Sequence, residues 1–210
     1  MVKIQPIVEG HGDVKAFPVL LRRLITEAQA WGLDVGRPIR KPRNQLVRET
    51  ELKRAVRLAL LQPECSGVLI LFDGDSDCPA ELGPAVQGWA VAEAGGVPCE
   101  VVIAHREYEA WFLASIESML GYRRIRADAQ SHPNPEQPRG AKGQLEARME
   151  AGATYLETTD QPALSAKFSL ATAHQRCRSF RKLASSFGRL VRSMGQEVSE
   201  WPPARWAENG

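Results

Sequence analysis

Val68-Leu69-Ile70-Leu71-Phe72-Asp73-Gly74-Asp75-Ser76-Asp77 carries an unbroken apolar run into three aspartates spaced two apart. A short continuous apolar run suits a strand buried on both faces, as in a parallel sheet covered by helices. The acids then stand where the strand ends and the loop begins, the crevice in which open α/β sheets bind ligands. Carboxylates crowded there repel one another unless a cation or a raised pKa relieves the charge. Hard oxygen donors of this kind favour Mg²⁺, Mn²⁺ or Ca²⁺ over zinc.

The flanking sequence supplies the rest of such a sheet. Lys3 to Val8 reads as a first strand, closed by Glu9-Gly10-His11-Gly12-Asp13. The glycines permit a tight turn there, and Asp13 is placed to cap the following helix. Val14, Phe17, Leu20, Leu21, Leu24, Ile25 and Ala28 recur at helical spacing, with Gly32 as the stop. Leu33 to Ile39 is a weak strand, followed by a basic loop and a helix over Glu49 to Leu61. Beyond the 68–72 strand come a helix from Pro79 to Ala94, the break Gly95-Gly96, and a fourth strand from Val97 to Ala104. The order β-α-β-α-β-α-β is that of a parallel sheet with right-handed crossovers. A Rossmann-like α/β fold is therefore expected over the first part of the chain, sandwiched by helices.

After the fourth strand the pattern turns helical. One helix is expected from near Arg106 to about Leu120, and 121–143 reads as a loop or flexible insertion rich in Pro, Gly, Arg and Gln. Helix resumes from Gly143, breaks between Gly152 and Pro162, and returns as one long helix from Leu164 to about Met194. The division expected is a core over 1–120, a loop and helical extension packed on it over 121–200, and a tail over 201–210.

Composition narrows the class. The formal charge of +2 is too small to imply a nucleic-acid partner by itself, so the distribution of charge carries that argument. Cys65, Cys78, Cys99 and Cys177 form no CxxC pair, which argues against structural zinc and fits a reduced, cytoplasmic protein. No apolar run is long enough for a membrane span, and Glu9 comes too early for a signal peptide.

Two acid patterns fall at the ends of different strands: Glu9 after the first, Asp73 and Asp75 after the third. In a parallel sheet these ends share an edge, so the carboxylates converge on one metal-sized space. A glutamate followed by glycine after strand one, and an Asp-x-Asp after strand three, resembles a Toprim domain. The chain is most similar to small stand-alone bacterial Toprim-like proteins related to the OLD nucleases. Glu109-Ala110-Trp111-Phe112-Leu113-Ala114 and Ser179-Phe180-Arg181-Lys182-Leu183 also fit them.

By that resemblance Asp73 and Asp75 hold Mg²⁺ (or Mn²⁺), and Glu9 acts as general acid/base or shares the metal. The implied reaction is phosphodiester transfer or hydrolysis on DNA or RNA. Asp77 is an extra candidate ligand, Glu107 and Glu109 are candidates for a second metal, and Lys142 in Gly-Ala-Lys-Gly is a candidate for transition-state charge. No G-x-x-x-x-G-K-[ST] occurs, so the ATPase that OLD proteins carry in the same chain is implied as a separate partner, in a phage-defence or toxin-like system.

The aspartates admit rival readings. An EF-hand loop needs glycine sixth and glutamate twelfth, where this chain has Cys78 and Pro84. A haloacid-dehalogenase-type phosphatase wants Thr or Val at the place of Asp77, with its motif on the first strand. The plainest alternative is that the acids are solvated loop residues and helix caps.

Positive charge is segregated. Between Asp160 and Glu197 there is no acid, while Arg178, Lys182, Arg189 and Arg192 fall on one side of a helix, an arrangement expected to contact phosphate backbone. Arg40, Lys41 and Arg43, after strand two, are expected to rim the acid edge and draw in a polyanion. Two further functions stay open: a non-catalytic metal- and nucleic-acid-binding module within a complex, and a small-molecule phosphohydrolase.

Overall fold

The computed structural model describes residues 2–198 and 200–208. Its centre is a parallel sheet of five strands: β1 (Val2–Val8), β2 (Leu33–Val35), β3 (Ile39–Arg40), β4 (Cys65–Asp73) and β5 (Cys99–Ala104). The order across the sheet is β2-β1-β4-β5, with β3 also on β1. β2 and β3 are two pieces of the expected second strand. β2 pairs with the start of β1 and β3 with its end, placing Arg40 opposite Val8. Between them Gly36 lies against Gln5, whose side-chain amide donates to the Arg37 carbonyl at 2.6 Å. A side chain thus replaces the ladder where the strand is interrupted.

The apolar run of β4 is continuous because both faces of the sheet are covered. Leu69 and Leu71 join Ile4, Val8, Val102 and Ala104 in one core, while Val68, Ile70 and Phe72 join Ile7, Val101 and Ile103 in the other. Successive side chains of a strand point to opposite faces, so a double-sided core asks for apolar residues at every position. Helices α2 (Arg43–Leu46), α3 (Glu49–Leu60) and α4 (Pro79–Ala94) contribute Leu46, Leu52, Val56, Val86 and Ala90 to the smaller core. Helix α1 (Asp13–Glu27) buries Phe17, Leu20, Leu21 and Leu24 in the larger one, together with Trp111 to Ala114 of α5 (Ala110–Ala114).

The part after β5 differs from expectation in three ways. The helix expected over 106–120 is a short α5 followed by a 3₁₀ turn at Ile116–Met119. Residues 121–140 hold no helix, as expected of a loop, yet they are tied down. Arg176 donates to the carbonyls of Ala114 at 2.7 Å and His132 at 2.5 Å, Arg148 donates to that of Gln130 at 2.8 Å, and Glu136 accepts the N–H groups of Arg178 and Ser179, both at 2.8 Å. After the short α6 (Ala141–Glu146), helix α7 (Glu157–Ser165) begins inside the expected break over 152–162 and runs into the start of the expected long helix, and the rest of that helix is two, α8 (Leu170–Arg176) and α9 (Arg178–Ser193). Ser169 caps α8 through the Thr172 N–H, and Cys177 is extended, so local backbone hydrogen bonding overrides the helical periodicity.

Aromatic packing fixes this extension to the core. Trp111 donates its indole N–H to Ser179 at 2.8 Å and meets Phe180 edge-on, ring centres 5.3 Å apart. Phe168 stacks edge-on against both Phe112 and Phe180. The two later sequence motifs are thus one packing unit. The tail is packed as well: Trp201 covers Phe187, and Trp206, in α10 (Arg205–Glu208), is buried. Among the described residues no helix is long and apolar enough to cross a membrane.

Candidate functional site

The carboxyl ends of β1, β4 and β5 carry the acids. Glu9 leaves β1 and turns back across the sheet, so that its Oε2 accepts the backbone N–H of Asp73 at 3.1 Å. Asp73, the last residue of β4, accepts the Tyr108 N–H at 2.9 Å through Oδ1. Beyond the strands the two chains stay stitched, with Gly74 N–H to Ala104 and Asp75 N–H to Arg106 at 2.9 and 3.0 Å. Gly74 is needed there: a Cβ would stand 3.0 Å from the Ala104 carbonyl oxygen. Asp75 and Arg106 both adopt left-handed backbone, φ 48° and 66°, a strained conformation for such residues that concentrates at functional sites.

Two further acids join from helices. Asp13 is the first residue of α1 and not the cap expected of it, because the cap position is Gly12 and the carboxylate faces inward: Oδ2 accepts the Gly10 N–H and Oδ1 the Gln161 side-chain amide, both at 2.8 Å. Glu109, just before α5, is fully buried. Its Oε1 accepts the Tyr155 hydroxyl at 2.9 Å, and its Oε2 has no hydrogen-bond partner. Asp13 was legible only as a cap, since nothing in the sequence announces Gln161 as its partner. Tyr155 and Gln161 carried no signal at all.

The electrostatics are those of crowded carboxylates. Burial raises the pKa of Asp73 well above the ordinary range, helped by Glu109, Asp13 and Glu9. Burial also raises Glu9, with Asp75 and Asp13 adding to it against the pull of the Asp73 N–H. Glu109 is pushed up by burial to about 7, even though Lys142 and the Tyr155 hydroxyl hold it down. Burial likewise raises Asp13.

The remaining candidates sort differently. Arg43 does not point to a polyanion. It donates to the carbonyls of Asp73 (2.9 Å) and Gly74 (3.2 Å) and pairs with Asp75 at 3.4 Å and closely with Asp77. Asp75 and Asp77 are both exposed in the loop and held by that guanidinium. Arg40 and Lys41 do lie at the acid edge, because Arg40 is beside Val8 and the Lys41 N–H bonds the Val8 carbonyl at 2.8 Å. Glu107 is not a free ligand: it accepts the N–H groups of Gly140, Ala141 and Lys142 at 2.8, 3.0 and 3.2 Å. That grip brings Lys142 to the site, where it pairs with Glu157 at 2.6 Å.

Arg178 and Lys182 are exposed on α9. Glu136 holds the start of that helix, whereas Leu190 and Met194 reach Gly67 near the start of β4 and Arg189 pairs with Glu100 at 2.7 Å. The basic stripe therefore runs from the acid edge toward the opposite edge, and Arg189 is already neutralised.

Among the described residues no three His, Cys, Asp or Glu side chains are spaced to enclose a metal ion. The donor chemistry fits a hard divalent cation all the same. The groups are carboxylates, burial and mutual repulsion raise their pKa values, and one buried oxygen of Glu109 is unpartnered.

Fold and site together define an α/β protein with an acid cluster at the carboxyl edge of a parallel sheet, closed over by a helical extension. The chain belongs to the family described as a domain of unknown function, DUF4276, whose model matches residues 8–187 and so takes in every acid and lysine of the site. No curated protein and no solved structure matches the chain.

Proposed function

We propose that this chain is a Toprim-type, Mg²⁺-dependent nuclease that hydrolyses phosphodiester bonds of DNA or RNA. One observation carries the reading: Glu9 and Asp73 come from different strands, 64 residues apart, and meet through a direct hydrogen bond at the carboxyl edge of a parallel sheet. Glu9, Asp73, Asp75 and Glu109 are the residues to hold Mg²⁺ or Mn²⁺, which when bound stabilises phosphate charge and lowers the pKa of water. Glu9, whose pKa burial raises above the ordinary carboxylate range, is the group placed to exchange the proton. As water attacks phosphorus its proton passes to Glu9, and Glu9 returns that proton to the departing sugar oxygen as the phosphorus–oxygen bond breaks. Lys142 supplies fixed positive charge beside the acids. Arg40, Lys41, Arg178 and Lys182 are the cations offered to the phosphate backbone, with Arg43 reassigned to holding the Asp75–Asp77 loop. A separate ATPase as working partner in phage defence, and a cytoplasmic location, belong to the same proposal.

The test is cleavage of plasmid, single-stranded DNA and RNA with Mg²⁺ or Mn²⁺ against EDTA, with Glu9→Ala and Asp73→Ala beside the parent. Metal-dependent cutting lost in both variants supports the nuclease. A second reading, a binding module that does not cut, draws support from Arg43, which already occupies Asp75 and Asp77. It predicts no cutting on any substrate while nucleic acid still binds.

A further inference from the structure

Arg106 follows the end of β5 by two residues, and its stretch of chain is fastened to the acid edge. The Arg106 carbonyl accepts the Asp75 N–H at 3.0 Å, Glu107 holds the N–H groups of Gly140, Ala141 and Lys142, and the Tyr108 N–H bonds Asp73 at 2.9 Å. The Arg106 guanidinium, by contrast, holds nothing. The residue is half-buried, its Nε–H is buried without an acceptor, and among the described residues no carboxylate or carbonyl pairs with the side chain. Arg43, on the same edge, spends its guanidinium on the Asp73 and Gly74 carbonyls and on Asp75 and Asp77. Both features of Arg106 cost stability. A guanidinium cannot shed its charge, so a buried N–H left without a partner carries its desolvation penalty. The backbone, at φ 66°, stands in the left-handed region that glycine adopts with less strain. Folding asks for neither, since a glycine in this place would remove both.

The position supplies a use for the side chain. Parallel pairing sets the strands in the order β3, β1, β4, β5. Arg40 and Lys41 therefore lie on one flank of Glu9 and Asp73, and Arg106 on the other. Three strand spacings, roughly 14 Å, separate the flanks, which is about the rise of four nucleotides along one strand of a duplex. We propose that Arg106 is a phosphate-binding residue that grips the backbone of the substrate nucleic acid on the β5 flank of the acids, while Arg40 and Lys41 take it on the other. The inference rests on the nuclease reading for the identity of its ligand. A guanidinium fork matches two phosphate oxygens, and this one breaks no hydrogen bond or ion pair to reach them. Such a contact fixes where the strand lies and carries no sequence preference.

The experiment measures binding of a fluorescent DNA duplex, a DNA single strand and an RNA to the intact chain in EDTA, over a range of salt. The parent, Arg106→Gly and Arg106→Lys are compared, with a thermal melt of each and metal-dependent cleavage by the parent measured beside them. Arg106→Gly is expected to melt no lower than the parent, yet to bind roughly tenfold more weakly and to lose about one unit of salt slope on the duplex. Arg106→Lys, which keeps the charge without the fork, should keep the slope and fall between the two in affinity. Unchanged binding by Arg106→Gly overturns the inference, and leaves the nuclease reading intact where the parent cuts. A lower melting temperature for Arg106→Gly overturns it as well, since the side chain then serves the fold. Weakened binding by Arg106→Gly, with no cleavage by the parent, sinks the nuclease and upholds the phosphate contact. A parent that neither binds nor cuts overturns both.

Discussion

The α/β core and the helical extension treat charge in opposite ways. The core brings Glu9, Asp13 and Asp73 to one edge and leaves them crowded, each with a pKa raised by its surroundings. The extension brings what relieves that crowding: Lys142, the Tyr155 hydroxyl and the Gln161 amide. Glu107 and Glu109, two residues apart where the core hands over to the extension, show the contrast at its sharpest. Glu107 is fully employed, with three backbone N–H groups on its two oxygens, whereas Glu109 is buried with one oxygen unpartnered. A carboxylate that organises backbone is structural; one kept buried and half-satisfied stores a cost that binding or catalysis can release.

The largest expected effect breaks the core's side of this contrast. If the proposed nuclease is correct, Asp73→Ala reduces metal-dependent cleavage by more than about a hundredfold, beyond the loss typical of a merely supporting partner. Single-turnover cleavage rates measure it.

The next effect tests the half-satisfied acid. Glu109 has a folded-state pKa raised from 4.5 to about 7. The folded protein therefore holds this proton more tightly than the unfolded chain. Its contribution to stability is fully present below pH 4.5 and is lost as pH rises through about 7. Glu109→Gln, which has no charge to bury, should be more stable than the metal-free parent at pH 8 by up to about 3 kcal/mol. The gap should close toward pH 4.5. Urea unfolding at several pH values reads this, and parallel curves for the two proteins would contradict it.

The joint between the two regions is tested by Gly12→Ala. The added Cβ would lie 2.0 Å from the Gln161 side-chain oxygen and 3.0 Å from the Glu157 carbonyl, so α7 must shift away from α1. Overpacking of this kind costs about 1–3 kcal/mol, measured as a lowered urea midpoint.

The smallest effect concerns the surface of α9. Arg178 and Lys182 are exposed, so replacing both with Ala should change stability by no more than about 0.5 kcal/mol. If they contact phosphate, the same variant loses roughly one unit of salt slope per residue in duplex-DNA binding. An unchanged slope would return the stripe to the status of a solvated helix face.

The uninterrupted run from Val68 to Phe72, bounded by a polar loop and set in an alternating strand-helix order, was enough for a buried parallel strand, since a strand covered on both faces is apolar at every position. Strand-end acids follow from that and from the parallel order, which is why Glu9 and Asp73 were legible as neighbours across 64 residues. The roles of charged groups were not legible in the same way. Arg43 reads as one more cation of a basic loop, and only the folded chain turns it onto Asp75 and Asp77. Lys142 reads as a lysine in a glycine-rich loop until Glu107 fixes that loop in place. The single helix expected over 164–194 is broken at Ser169, whose hydroxyl caps α8, and at Cys177, whose extended backbone separates α8 from α9. Hydrophobic periodicity is a property of neighbouring residues and survives in the sequence. Which carboxylate keeps a partner, and which is buried without one, depends on side chains brought from elsewhere in the chain, and only tertiary packing decides that.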